Sequence, residues 1–302
     1  MVKNIIIKSS MTRTPSGDFK SNYGDVVRST VLLECIGFDY LWFTDKRCER
    51  LIGKFVPVEK VVTFNDDFDI RNLSSNLEIY NIDNYLYKRE TVDILKGNWH
   101  GYIPDEEGNV SPENELIKSL DSYSRINNCC SWQQALVDGM GFLWKEQDYA
   151  TPWYEKKDSI DFGLNWHVHQ DWKSKHWPNS KWEELEKIIG KIYTVSWQRG
   201  LDDINEYIDW LSSCKVVITC DTLGLHLASA LRKKIVAIAG PTENREYPYG
   251  RLRIVKPANR ECMPCYLPIC KQGNNCINEI SALKVAEIAV EELLLINRFR
   301  RN

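Results

Sequence analysis

Residues 215–243 read KVVITCDTLGLHLASALRKKIVAIAGPTE, and this stretch decides the fold. Lys215–Cys220 is a short β-branched run, and Asp221-Thr222-Leu223-Gly224 is a turn. Leu227, Ala228 and Leu231 follow at helical spacing, and Lys234–Ala239 is a second buried-strand pattern ending in Gly240-Pro241-Thr242. Strand, turn, helix and strand make a βαβ unit, and open parallel sheets bind ligands at the carboxyl ends of their strands. A helix starting at Thr222 or Leu223 aims its unpaired N–H groups and positive dipole end at that crevice, which suits a phosphate. By itself the stretch leaves two readings open: Asp221 and His226 are ligand-site residues, or Asp221 caps the helix and His226 is a satisfied, half-buried histidine.

The length of 302 residues suits two medium domains or one large one. Charge is balanced at a net −3, which argues against a nucleic-acid partner and against a disordered acidic chain. The 11 tryptophans and 14 tyrosines fit sugar-handling clefts, although large aromatics also fill cores. No apolar run approaches the roughly 18 residues of a membrane-spanning helix. The N-terminus enters a strand at Val2 and has no signal-peptide pattern, so the expected location is cytoplasmic, with at most peripheral membrane contact. Ten cysteines in such a chain point to thiols and a metal site rather than to a disulfide framework.

Working outward to the N-terminus, Val2–Ser9 reads as a buried strand, followed by a polar loop from Ser10 to Asn22. Asp25 reads as the N-cap of a helix carrying Val26, Val27, Thr30, Val31 and Leu33. Phe38–Thr44 and Lys60–Phe64 are further strands with a helix over Arg47–Val56 between them, a rhythm that implies a parallel sheet. Asp67-Phe68-Asp69 spells a metal-binding tripeptide but reads as a solvated loop. Residues 72–118 mix short apolar runs with Gly97, Pro104 and Gly108 and read as irregular. Trp132–Phe142 is an amphipathic helix, and Asp148–Asp158 is the linker candidate. That placement divides the chain into domains at 1–150 and 159–302.

In the second half, Ile160–Asn165 is a strand leading to Lys175-His176-Trp177-Pro178 and a helix over Lys181–Ile192 capped by Ser180. His167, His169 and His176 lack carboxylate or cysteine partners at ligand spacing and read as loop residues. Asp202–Ser213 is a packing helix, Arg245–Arg251 an aromatic loop that could flank a base or sugar, and Ser281–Leu295 a final helix before a basic tail. Cys262, Cys265, Cys270 and Cys276 fall within a Pro/Gly-containing loop. Thiolates at these spacings can converge on Zn²⁺ or iron as a structural site whose full shell would leave no catalytic position. A labile disulfide pair or free thiols are the alternatives.

The pattern Asp221-Thr222-x-x-x-His226-Leu-Ala-x-Ala-Leu, followed by a strand and Gly240-Pro241-Thr242, resembles the signature of the family 9 glycosyltransferases, the ADP-heptose-dependent heptosyltransferases of lipopolysaccharide assembly and their relatives. The usual pattern has glycine two positions after the aspartate; here Leu223 stands there and Gly224 follows. The resemblance implies a GT-B architecture, two facing Rossmann-like domains with an interdomain cleft and a C-terminal Cys-rich loop. It implies metal-independent, inverting transfer of heptose or a similar sugar from a nucleotide-diphosphate donor, ADP-linked by analogy, to a glycan, lipid-linked or protein acceptor. No catalytic cofactor is implied.

By the same resemblance Asp25, in Gly24-Asp25-Val26, is the general base. Lys175 and the helix start at Thr222, Leu223 and Gly224 meet the donor diphosphate, with Asp221, His226 and Thr242 completing the donor site. Two other readings remain: a nucleotide-sugar epimerase of GT-B type, and a catalytically silent sugar-nucleotide-binding or scaffold protein.

Overall fold

The computed structural model describes residues 2–13, 19–64, 73–86, 95–121, 130–155, 157–200, 203–242, 249–258 and 260–299. The chain divides into two compact units, Met1–Pro152 and Trp153–Asn244 continued by Pro248–Asn302.

The first unit is built on a six-stranded sheet. Its strands are β1 (Val2–Ile7), β4 (Tyr40–Thr44), β5 (Val61–Thr63), β6 (Leu73–Asn81), β7 (Gly97–Pro104) and β8 (Val110–Pro112), in the order β5-β4-β1-β6-β7-β8. All neighbours are parallel except β7 and β8. Parallel strands buried on both faces read as continuous apolar runs, and Tyr40–Thr44 is buried at every position. Ile5, Ile7, Leu41, Phe43, Val62, Leu77, Ile79 and Leu95 form one core cluster.

Residues 72–118, expected to be irregular, hold three of these strands and a helical turn at Glu115–Lys118. Their signal is masked because Leu77 and Ile79 alternate with Asn76 and Glu78, and because β7 carries Gly97 and Gly101, the latter at φ +87°. A Cβ at Gly97 would collide with the Leu77 backbone, so the glycine there permits the β6–β7 pairing.

Several boundaries also differ. The expected helix over Arg47–Val56 is one turn, Glu49–Ile52, stopped at Gly53. The long loop before Asp25 is partly a hairpin, β2 (Met11–Arg13) against antiparallel β3 (Phe19–Ser21). The Trp132–Phe142 helix ends at Gly139.

The second unit carries a parallel five-stranded sheet in the order β10-β9-β11-β12-β13. These are β9 (Ile160–Asn165), β10 (Val195–Trp197), β11 (Cys214–Cys220), β12 (Lys234–Ile238) and β13 (Leu252–Val255). β11 sits at the centre, and helix Leu223–Ala230 links it to β12. That helix is buried along Gly224–Ala230, which accounts for its nearly uninterrupted small and apolar sequence.

Helix Asn179–Ile189 begins after Pro178 with no side-chain cap, so Ser180 lies inside it rather than at its cap. Asp203 caps Ile204–Ser213 by accepting from the N–H groups of Asn205 and Glu206. Helix Ala282–Phe299 closes the unit against β11 and β12. Among the described residues no helix is long and apolar enough to cross a membrane. The Asp67-Phe68-Asp69 tripeptide and most of the 245–251 aromatic loop lie outside the described residues.

Candidate functional site

In the second unit polar groups gather where β11 and β12 end. Asp221 follows β11 directly, and its Oδ2 accepts a hydrogen bond from Lys175 Nζ at 2.7 Å and one from Thr242 Oγ1 at 2.9 Å. Lys175 leaves a 3₁₀ turn, Lys173–Lys175, with its ammonium 4.4 Å above the Trp172 ring. Thr242 comes from the turn after β12 and His226 from the helix between the two strands. Burial pushes the Asp221 carboxyl up, but Lys175, then His226, and then the hydrogen bonds from Lys175 and Thr242 outweigh it and hold the carboxyl well below the usual range. Lys175 and Asp221 are 15% and 21% exposed, so the pair is largely but not wholly withdrawn from water.

Asp221 is not the helix cap; Thr222 holds that position, in extended backbone and with no side-chain capping bond. Instead the Thr222 hydroxyl is met by Asn165 Nδ2 at 3.2 Å, and the same amide donates to Thr219 Oγ1 at 2.8 Å. Asn165 Oδ1 in turn accepts from the buried Tyr207 hydroxyl at 2.7 Å. This pair explains why glycine stands one place later than usual. A Cβ at Gly224 would run into Asn165 Nδ2 and the Tyr207 oxygen, whereas Leu223 is only half-buried. Asn165 and Tyr207 were not among the expected site residues. The only sequence signals were an asparagine ending an apolar strand and a hydroxyl on an otherwise apolar helix face.

In the first unit Asp25 is the third residue of helix Tyr23–Arg28, whose cap is Asn22 rather than Asp25. Asn22 Oδ1 accepts from the Asp25 N–H while its side-chain amide donates to Asp25 Oδ2, a local variant of the capping box. Arg28 pairs with Asp25 Oδ1, and its guanidinium lies 3.9 Å from the centroid of the Trp132 ring.

Asn22 is itself anchored to the end of β1, its N–H donating to the Ser10 carbonyl at 2.5 Å. There two buried carboxylates receive consecutive backbone N–H groups. Asp83 takes Ser9 at 2.7 Å, with Lys8 Nζ on its other oxygen at 2.7 Å, and Asp45 takes Ser10 at 2.7 Å. Burial pushes the Asp45 carboxyl up, yet the Ser10 side-chain and backbone bonds and Arg47 bring it below its ordinary value. The hairpin β2–β3 therefore returns the chain to Ser10, and the length of the loop does not displace the Asp25 helix.

The expected metal site at the four cysteines finds no support in the structure. Among the described residues no group of three or more His, Cys, Asp or Glu side chains is disposed to hold an ion. Cys276 is buried at the start of a 3₁₀ turn, beneath Gly240, and Cys270 Sγ donates to the Asn274 carbonyl. Cys262 and Cys265 are half-buried free thiols.

Residues 200–274 match the family model described as glycosyltransferase family 9 (heptosyltransferase). No curated protein sequence matches the chain significantly. Among solved structures, a family 9 glycosyltransferase from Veillonella parvula superposes with a TM-score of 0.62 at 13% identity, over 97% of this chain and 97% of that one. The E. coli heptosyltransferase WaaC with ADP gives 0.59 at 13% identity, over 96% and 99%. The iron-containing heptosyltransferase TibC of enterotoxigenic E. coli, solved with ADP-D-β-D-heptose, gives 0.59 at 12% identity, over 97% and 77%. The two parallel-rich sheets are those of the GT-B heptosyltransferase fold, and the family match supports glycosyltransferase activity.

Proposed function

From the family 9 glycosyltransferase segment that this chain carries, we infer inverting, metal-independent transfer of heptose or a similar sugar from a nucleoside-diphosphate donor. ADP is the favoured nucleotide, because WaaC was solved with ADP and TibC with an ADP-heptose. The acceptor class is a glycan, the lipopolysaccharide core among them, or a protein. The expected location is the cytoplasm, with peripheral membrane contact where the acceptor is lipid-linked.

The observation that carries this reading is the Lys175–Asp221–Thr242 cluster beside the first turn of helix Leu223–Ala230. An ammonium has three N–H donors; Lys175 places one on Asp221 Oδ2 and a second, at 3.4 Å, on the Asp221 carbonyl, which leaves the third for a diphosphate. The unpaired N–H groups of the helix start add positive potential at the same place.

The step proposed for these residues is a single displacement. Asp25 takes the proton of an acceptor hydroxyl as its oxygen bonds to the anomeric carbon, and the bond from that carbon to the diphosphate oxygen breaks with its electron pair. Lys175 and the helix start receive the charge that gathers on the leaving diphosphate, and Asp221 with His226 holds Lys175 in place. Asn22 and Arg28 occupy one position on each Asp25 oxygen, and each oxygen retains a second lone pair for the hydroxyl proton.

That ion pair with Arg28 also favours a second reading, a sugar-nucleotide-binding chain without turnover. Incubation with ADP-heptose and a panel of glycan acceptors in the presence of EDTA separates them. The expected product is a glycoside of anomeric configuration opposite to the donor's, formed at a rate indifferent to the chelator. Retained configuration or a chelator-sensitive rate would contradict the mechanism, and donor binding without any transfer would identify the silent alternative.

A further inference from the structure

The cysteine-rich loop touches both turns that deliver side chains to Asp221. On one side Ser174, next to Lys175 and 2% exposed, donates its N–H to the Pro268 carbonyl at 2.9 Å and its hydroxyl to the Leu267 carbonyl at 2.6 Å. Asn275 Nδ2 adds a bond to the Lys173 carbonyl at 3.2 Å. On the other side the consecutive N–H groups of Cys265 and Tyr266 both reach the carbonyl of Pro241, next to Thr242, at 3.0 Å. Tyr266 adopts φ +50°, a left-handed conformation costly for a non-glycine residue. Such a kink lets successive N–H groups converge on one acceptor. Arg260 ties the loop's own ends together, donating to Glu279 Oε1 at 3.0 Å and to the Asn274 carbonyl at 2.8 Å.

We propose that the loop Cys262–Cys276 is a brace for the donor site, and that Ser174 and Asn275 are positioning residues that aim Lys175 at the donor's terminal phosphate. This rests on the reading of Lys175 as the diphosphate ligand. A three-residue 3₁₀ turn has no internal means of fixing a four-carbon side chain whose rotamer freedom opposes ordering. Hydrogen bonds to Lys173 and Ser174 from behind supply that constraint, while the same loop fixes Thr242 on the opposite side of Asp221 Oδ2. The loop's contacts with these turns are therefore made by its backbone carbonyls and N–H groups and by the Asn275 amide, not by its thiols.

The test is the ratio of ADP to AMP affinity, measured by calorimetry on the intact chain. AMP lacks the phosphate that Lys175 would grip, so the ratio isolates the lysine from general effects on the fold. Lys175→Ala should bring the ratio close to unity. Ser174→Ala should lower it about tenfold, and Asn275→Ala, at a half-buried position that tolerates truncation, about threefold, each with AMP affinity unchanged. A ratio unchanged in both brace variants but lost in Lys175→Ala would overturn the brace alone. A native protein that binds neither nucleotide would overturn the diphosphate reading and the brace with it. Equal losses of ADP and AMP affinity would reduce the loop to a merely structural element.

Discussion

Asp25→Asn should lower acceptor-dependent sugar transfer by roughly 10²–10⁴-fold, the contribution of a positioned general base, and leave the affinity for the donor nucleotide unchanged. The substitution is close to isosteric. An asparagine carbonyl in the place of Oδ1 still accepts from Arg28, the NH2 that replaces Oδ2 no longer accepts from the Asn22 amide, and Asn22 Oδ1 keeps its bond from the residue 25 N–H. What the amide lacks is the capacity to take up a proton. The residues proposed to bind the donor lie in the other unit, so calorimetry with the nucleotide should not register the change. Initial rates that match the native protein would remove Asp25 from the mechanism and return it to the capping network in which it sits.

Lys175→Ala should raise the donor KM and lower kcat together, with a loss of roughly 10²–10³-fold in kcat, the usual effect of removing one donor aimed at developing negative charge. Two consequences follow from the geometry at once. The diphosphate loses a cation, and Asp221 loses the nearer of its two side-chain hydrogen-bond donors. A largely buried carboxylate left with less compensation costs about 1–3 kcal/mol in stability, which thermal unfolding would register. Unchanged KM, kcat and melting temperature would leave Lys175 without consequence for donor binding, turnover or stability. A lowered melting temperature with native kinetics would confine it to a structural ion pair.

The βαβ unit of the second half was legible in the sequence because its determinants are local. The β-branched run before Asp221, the apolar helix after it and the turn at Gly240-Pro241-Thr242 each carry their own pattern, and together they form a βαβ unit. The reason for Gly224 was not legible, since Asn165 and Tyr207 reach it from elements 59 and 17 residues earlier in the chain (224 − 165; 224 − 207). In the first unit β6 and β7 escaped notice because glycines and alternating polar residues conceal strands whose partners are distant in sequence. The role of Asn22 was displaced onto Asp25 because both are good caps, and only the backbone decides which one lies outside the helix. The cysteine spacing permitted a metal but could not convey that Cys276 is buried while the other three are half-buried. Spacing constrains which side chains can meet; it does not say where the loop faces.

The central claim, that Lys175, Asp221 and the helix start at Thr222 grip a sugar nucleotide, is tested most directly by thermal unfolding of the native protein against ADP-, GDP-, UDP- and CDP-linked sugars. A ligand present at a hundred times its dissociation constant and bound only by the folded state adds about 2.7 kcal/mol. The expected result is a clear stabilisation by one nucleotide, the ADP-linked sugar, and its loss in Lys175→Ala. An unfolding transition indifferent to all four would contradict the account and leave the family likeness as a statement about the fold.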